Sequence, residues 1–129
     1  MGWIGVDLDG TLAEYDGWQG SDTIGAPVPA MVDRVKGWLV EGREARIVTA
    51  RAFPPTVATL TARRVVEDWS LEHIGQALPV TCMKDFGMVE LWDDRAVTVE
   101  ANTGRALAPS KVELLDEASR ALDTVAEDC

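Results

Sequence analysis

Two short groups of aspartates are the side chains of this sequence best suited to chemistry. Asp7 and Asp9 flank a leucine near the start of the chain, and Asp93 and Asp94 follow one another much later. Carboxylates that lie together repel, and each raises the pKa of the other unless a cation neutralises them. Mg²⁺ suits such a cluster because it prefers oxygen ligands and is commonly held by carboxylates together with a substrate phosphate. All of these aspartates are therefore predicted metal ligands.

Asp7 and Asp9 also suit phosphoryl and proton transfer. In an extended segment, residues two positions apart point to the same face. One carboxylate can then attack phosphorus while its neighbour handles the proton of the leaving group. Gly10 lets the backbone turn tightly, which predicts that the amides of Gly10 and Thr11 face phosphate oxygens.

Apolar runs that end at the aspartates predict the strands that position them. Residues 3–8 form a short apolar run before an acidic, glycine-containing turn, which is typical of a buried strand. Such runs alternate with apolar stripes at helical spacing. The alternation predicts an α/β fold: a Rossmann-like, mostly parallel five-stranded sheet with helices on both faces, in a single domain over residues 1–129. The other predicted elements are strands at 45–49, 78–82, 89–92 and 97–101, and helices with stripes over 31–39, 57–69 and 112–125, the second of them beginning at Pro54.

The ends of the predicted strands supply further candidate residues. Thr49 and Arg51 follow the second strand, and Lys84 follows the third. Because the carboxyl ends of parallel strands meet at one edge of a sheet, we expect these side chains to converge with the aspartates there. A bound divalent ion would change the local charge of the aspartate cluster from repelling an anion to attracting one. The edge would then recruit an anionic phosphate, with Arg51 and Lys84 adding positive charge.

The motifs match a known family in kind and in order. Asp7-Leu8-Asp9-Gly10-Thr11-Leu12 resembles the first motif of the haloacid dehalogenase-like (HAD) phosphohydrolase superfamily. Ile47-Val48-Thr49 resembles the second motif, Lys84 the third, and Leu91-Trp92-Asp93-Asp94 the fourth. The resemblance implies a HAD-like phosphatase.

The resemblance also assigns a role to each residue. It implies that Asp7 is the nucleophile that forms an aspartyl-phosphate, and that Asp9 is the general acid and base. Thr49 would bond a phosphate oxygen, and Lys84 would hold Asp7 ionised and offset the charge on the phosphoryl group. An acid at position 9 favours phosphatase over dehalogenase chemistry. The implied Mg²⁺ ligands are the Asp7 carboxylate, the Asp9 backbone carbonyl and Asp93, with Asp94 helping directly or through water.

The family's cap domains have no room in this chain. Residues 13–44 and 52–83, where a cap would be inserted, hold little beyond what the core needs. The resemblance therefore implies a capless member in which the glycine-rich residues 13–27 form a short flap. Trp18, within the flap, could stack on a substrate ring, but local packing is the favoured interpretation. A capless site is open, which leaves room for a large substrate or for a homo-oligomer whose neighbouring subunit supplies a lid.

The substrate class follows from a narrower similarity and from the net charge. Thr49-Ala50-Arg51 and Asp93-Asp94-Arg95 are similar to stretches of polynucleotide 3′-phosphatase domains, which implies that Arg51 and Arg95 lie near the phosphate. The 22 acidic residues against 12 basic ones give a net charge of −10. Such a charge disfavours nucleic acid, whose affinity comes largely from Lys and Arg. A phosphorylated small molecule or a nucleotide is the favoured partner over a nucleic-acid end.

Two other functions remain open on the sequence. A receiver-type signalling domain also uses an α/β sheet with clustered Asp, Thr and Lys, but it would place its acidic pair after the first strand. Here the pair comes late in the chain. A catalytically idle binding module on the same fold would need a broken motif, and none is visible.

The expected compartment is a reducing cytoplasm. No apolar run approaches the length that spans a bilayer, and the first residues lack the basic flank of a signal peptide. Cys82 and Cys129 show neither metal-ligand nor redox spacing. We therefore expect no contact with a membrane.

Overall fold

A computed structural model of the chain describes the backbone of residues 2–128 and the side chains of residues 2–123. It contains two compact units, Met1–Asp94 and Arg95–Cys129. The prediction of a single domain over residues 1–129 stays a prediction, because compactness alone does not decide whether two units fold independently.

The first unit contains a parallel sheet. Its strands are β1 (Trp3–Asp7), β2 (Glu44–Val48), β3 (Val80–Thr81) and β4 (Met88–Trp92), in the spatial order β3-β2-β1-β4. All of the pairings are parallel. The predicted Rossmann-like α/β fold is therefore confirmed, with four strands among the described residues.

Two helices of the first unit pack on the same face of the sheet. Helix α1 (Pro29–Val40) begins with proline at its first position, and helix α2 (Leu60–Ile74) ends at Gly75, whose φ is 93°. Both contribute to one core with Val6 of β1 and Ile47 of β2. This unit therefore does not confirm helices on both faces. The core residues from the helices are Val32, Val35, Trp38, Val66, Trp69 and Ile74.

Helix α2 begins later than its proline signal predicts. The start predicted at Pro54 is wrong, because short 3₁₀ turns at Ala50–Ala52 and Val57–Thr59 come first. The Thr56 side chain accepts a hydrogen bond from the amide of Ala58 and so caps the second turn. The cap and the 3₁₀ turn thus occupy residues that the sequence pattern assigns to the start of the helix.

The second unit contains a short hairpin and helix α3 (Lys111–Asp128). The fifth strand predicted at residues 97–101 is not confirmed. Val99 instead forms an isolated antiparallel bridge with Ala106 across a turn in which Asn102 and Gly104 have positive φ. At the start of α3, the Ser110 hydroxyl caps the helix by accepting a hydrogen bond from the Glu113 amide at 3.0 Å.

Within residues 2–128, no helix combines the length and the apolar character needed to cross a membrane.

Candidate active site

The carboxyl edge of the sheet brings the separated acidic residues together. β1 ends at Asp7, and β4 ends at Trp92, directly before Asp93 and Asp94. One carboxylate oxygen from each of the three aspartates lies within 4.8 Å of the others. This group could hold a metal ion, because oxygen ligands at that spacing can share one cation.

The environment of Asp7 favours a cation. Burial, the charge of Asp93, a hydrogen bond with Asp94 and the charge of Asp94 together raise the pKa of Asp7 from 3.8 to about 7. A hydrogen bond from the Leu8 backbone lowers the pKa of Asp7 only in part. The surroundings of Asp7 thus disfavour its negative charge, which a divalent ion would offset.

Gly10 and Thr11 hold Asp94 against the loop after β1. Gly10 has a φ of 89°, and a Cβ at this position would lie 2.5 Å from an Asp94 carboxylate oxygen. The Thr11 hydroxyl donates to Asp94 Oδ1 at 3.2 Å and accepts from the Asp94 amide at 3.1 Å. A glycine is therefore required at position 10 for close approach as well as for backbone conformation.

The amides of Gly10 and Thr11 do not face outward as expected. The Gly10 amide donates to the Ala13 carbonyl at 2.8 Å, and the Thr11 amide donates to the Leu8 carbonyl at 3.2 Å. The loop closes on its own carbonyls, so this arrangement does not support the expectation that these amides bind phosphate oxygens.

Asp9 turns its carboxylate toward Arg51. Arg51 Nε lies 2.8 Å from Asp9 Oδ2, and Arg51 Nη2 lies 2.9 Å from Asp9 Oδ1. The Arg51 side chain is 5% exposed and that of Asp9 is 20% exposed. Sequence reasoning missed this two-bond ion pair, although β1 and β2 are neighbours and both residues follow the ends of these strands.

The flap, residues 13–27, closes over one side of this ion pair. Its two ends are joined by an Ala13–Pro27 bridge and by a hydrogen bond from the Glu14 amide to the Ala26 carbonyl at 2.8 Å. A cavity of about 120 Å³ lies between the flap and the ion pair. The cavity is lined by Asp9, Glu14, Tyr15, Asp16, Gly17, Gln19, Thr23, Gly25, Ala26 and Arg51.

Thr49 lies at the same edge, one residue beyond β2. It is 3% exposed, and its hydroxyl oxygen accepts a hydrogen bond from the Arg51 amide at 3.2 Å. The hydroxyl proton is not used by that bond and can be donated to a phosphate oxygen. The predicted role of Thr49 stays a prediction.

No family model, curated protein or solved structure matches this chain. Function must therefore be inferred from the side chains at the sheet edge.

Among the described side chains, Lys84 is not brought into contact with the carboxylates of the sheet edge. Lys84 is exposed, and within the described side chains it forms no hydrogen bond or ion pair. The next residue, Asp85, accepts hydrogen bonds from Trp3 Nε1 and the Gly87 amide, both at 2.8 Å. Trp3 begins β1, so these bonds hold the loop toward the opposite end of the strand from Asp7. Arg95 opens the second unit, and its predicted role stays a prediction.

The edge offers two kinds of acidic side chain. The half-buried Asp7 belongs with Asp93 and Asp94 to a group that could hold a metal ion, and Asp9 follows two residues after Asp7. Asp7 could act as a ligand or a nucleophile, because its charge would be stabilised by a cation bound with Asp93 and Asp94. Asp9 lies outside the group of metal-binding carboxylates. Both of its carboxylate oxygens accept hydrogen bonds from Arg51 instead.

Proposed function

We propose that the protein is a HAD-like, Mg²⁺-dependent phosphatase that hydrolyses a phosphate monoester through an aspartyl-phosphate on Asp7. The observation that carries the proposal is the approach of the Asp7, Asp93 and Asp94 carboxylates to within 4.8 Å at the carboxyl edge of a parallel sheet. The order of the motifs along the chain agrees with that chemistry. The proposed core has no cap domain.

The residues present fit a magnesium ion. Asp7 and Asp93 would hold it with the backbone carbonyl of Asp9, and Asp94 would bind directly or through water. When bound, the ion supplies positive charge that attracts the phosphate and keeps the Asp7 carboxylate ionised. The raised pKa of Asp7 supports this assignment, because it reports a carboxylate that is buried and lies beside two further acidic groups.

The proposed reaction has two steps. In the first, an Asp7 carboxylate oxygen attacks phosphorus while the bond to the ester oxygen breaks, and the leaving oxygen takes a proton from Asp9. In the second, water attacks phosphorus and gives a proton to Asp9. The bond between phosphorus and the Asp7 oxygen breaks, which restores the carboxylate and releases phosphate.

Thr49 would bind the phosphoryl group by donating its hydroxyl proton to a phosphate oxygen. The proposed substrate is a nucleotide or another small phosphate ester, since the net charge of −10 disfavours a nucleic-acid end. A neighbouring subunit could supply a lid for the open site.

Phosphate release tests the proposal directly. The wild type, Asp7→Asn and Asp33→Asn are assayed with Mg²⁺, an aryl phosphate and a panel of nucleotides. Asp33 is an exposed aspartate of α1 and serves as a matched control. We expect Asp7→Asn to lose roughly a thousand-fold or more in kcat, as removal of a nucleophile does, and Asp33→Asn to match the wild type. A folded wild type that releases no phosphate, or an Asp7→Asn variant with full activity, contradicts the proposal.

Mass spectrometry of the reacting protein separates the alternatives. A receiver-type domain would retain a phosphoryl group on aspartate without steady release of phosphate. An idle module would show neither. Only the phosphatase turns over many substrate molecules per chain.

A further inference from the structure

Arg51 is buried beside the candidate site yet does not face the metal-binding carboxylates. Its side chain is 5% exposed, and its Nε and Nη2 atoms bond both carboxylate oxygens of Asp9 at 2.8 and 2.9 Å. Such a planar two-bond pairing fixes the direction of the carboxylate as well as its distance. The conformation of Asp9 thus depends on Arg51.

The same guanidinium holds the flap. Arg51 Nη2 donates to the Thr23 carbonyl at 2.9 Å, and Nη1 donates to the Gly20 carbonyl at 3.5 Å. The Trp18 ring lies over the guanidinium, with its centroid 4.8 Å from the Arg51 Cζ. Arg51 therefore links two separate parts of the chain, Asp9 after β1 and residues 18–23 of the flap.

This geometry differs from that of a phosphate ligand. Both Nη2 protons and the Nε proton are committed to Asp9 and Thr23. An arginine that binds phosphate would instead present two parallel N–H groups to the substrate. The contacts point away from the phosphate role that the sequence predicts for Arg51.

We propose that Arg51 is a positioning residue, which orients Asp9 for proton transfer and holds the flap over it. The proposal rests on the proposed phosphatase function. A general acid must lie within hydrogen-bond reach of the leaving oxygen, and a displacement of about 1 Å can cost roughly a hundred-fold in rate. Arg51 supplies that positioning through Asp9 and makes no bond to the phosphate.

The first experiment compares leaving groups. Arg51→Gln, Arg51→Lys and the control Arg63→Gln are assayed with an activated aryl phosphate and with an alkyl phosphate. Arg63 is a suitable control because it also bonds a backbone carbonyl, that of Thr56, away from the site. The parameter compared is kcat/KM, which reports the first step alone, because the second step also uses Asp9 and is shared by both substrates. Since an aryl oxide leaves without a proton, we expect little loss of kcat/KM on the aryl phosphate, and a loss of about a hundred-fold in kcat/KM on the alkyl phosphate for Arg51→Gln.

Arg51→Lys covers the case in which Arg51→Gln fails to fold. A lysine keeps the charge but cannot bond both Asp9 oxygens in the plane of the carboxylate. It should show the same dependence on the leaving group with a smaller loss. Equal losses of kcat/KM on both substrates for either folded variant overturn the proposal.

A double mutant and a product inhibitor separate positioning from phosphate binding. In an Asp9→Asn background, Arg51→Gln should cause no further loss on the alkyl phosphate, because its effect passes through Asp9. The inhibition constant of inorganic phosphate should be unchanged in Arg51→Gln. A raised inhibition constant, or a full second loss in the double mutant, identifies Arg51 as a phosphate ligand and contradicts the proposal.

Hydrogen exchange tests the flap without any assay of activity. Amides 18–25 should exchange faster in Arg51→Gln than in the wild type, while those of α1 stay unchanged. Unchanged flap exchange overturns this half of the proposal. A wild type that is inactive on every ester overturns the phosphatase function instead, so the two failures are distinguishable.

Discussion

Asp7 carries its carboxylate into a half-buried position beside Asp93 and Asp94, where water screens the charges less than at an open surface. Burial is the largest cause of its raised pKa, followed by the charge of Asp93. The folded protein therefore holds the Asp7 proton to about pH 7, whereas the unfolded chain loses it near the ordinary value of 3.8. Between these values the folded state binds more protons, so stability falls as pH rises.

The first prediction is a pH-dependent stability of the metal-free protein. In EDTA, we expect Tm to fall between pH 5 and pH 8 by roughly 10 °C, since the linkage amounts to about 2–3 kcal/mol over this range and about 1 kcal/mol corresponds to about 4 °C in a domain of this size. Asp7→Asn should remove most of the fall, and Mg²⁺ should reverse it at pH 8. Thermal unfolding of the wild type, Asp7→Asn and Asp33→Asn measures this. A Tm that rises from pH 5 to pH 8, with the same slope in Asp7→Asn, would contradict a raised pKa of Asp7 in the folded protein.

A second prediction concerns the single residue Gly10. A Cβ at position 10 would lie 2.5 Å from an Asp94 carboxylate oxygen, on a backbone with a φ of 89°. Gly10→Ala should therefore displace Asp94 and destabilise the protein by about 1–3 kcal/mol. It should also raise the Mg²⁺ concentration needed for phosphatase activity.

Gly37→Ala is the matched control for Gly10→Ala. Gly37 lies inside α1, and a Cβ there meets nothing within 4 Å. Alanine should stabilise this helix by about 0.5–1 kcal/mol, because glycine loses more backbone entropy on folding. If both variants gain stability, the close approach of Asp94 to Gly10 does not exist in solution.

At the scale of elements, the flap depends on a helix that carries no predicted site residue. Trp69 of α2 is buried against the core, and its indole N–H donates to the Gly25 carbonyl at 3.2 Å. Together with Arg51, this bond holds the flap from a second side. Helix α2 thus supports the flap, whose residue Gly25 lines the cavity beside Asp9.

Trp69→Phe tests that contribution. Phenylalanine keeps an aromatic ring in the core but removes the donor, so the Gly25 carbonyl loses its partner. We expect a loss of about 1–2 kcal/mol in the free energy of unfolding and faster hydrogen exchange of the flap amides. Thermal unfolding and exchange measure the two effects. Trp38→Phe is the control, because Trp38 packs against Trp92 in the core and lies outside the flap contacts.

The strands could be predicted from sequence because their signals are local. The apolar run at residues 3–8 corresponds to β1, and its end places Asp7 at the edge of the sheet. The segment at residues 97–101 carries a similar signal, but its partner is the hairpin strand containing Ala106. A strand propensity does not specify which neighbour a strand will pair with.

The Arg51–Asp9 pair lay beyond sequence reasoning for a different reason. An arginine after a strand at an acidic edge suits a phosphate ligand and an ion-pair partner equally well. The choice depends on where the flap places the Gly20 and Thr23 carbonyls, which no periodic pattern encodes. The aspartates at the strand ends could be predicted because only topology was needed to bring them together.

For the whole molecule, the net charge of −10 bears on which phosphate esters the proposed phosphatase would bind. Residues 113–128 alone contain six acidic residues against Arg120. A bound divalent ion offsets the charge of the Asp7, Asp93 and Asp94 cluster locally, but the rest of the charge still repels a polyanion at long range. A mononucleotide carries far less charge than an oligonucleotide with the same terminal phosphate.

The final prediction follows from this repulsion. For 3′-phosphorylated substrates of increasing length at fixed Mg²⁺, we expect kcat/KM to fall from the mononucleotide to the oligonucleotide. The fall should be steeper at low ionic strength, because the Debye length rises from about 10 Å at 0.1 M to about 30 Å at 0.01 M salt. A parallel series at high salt is the control, since screening should bring the values together. Values that rise with chain length at low salt would instead identify a nucleic-acid end as the substrate, because only local basic contacts could overcome the net charge.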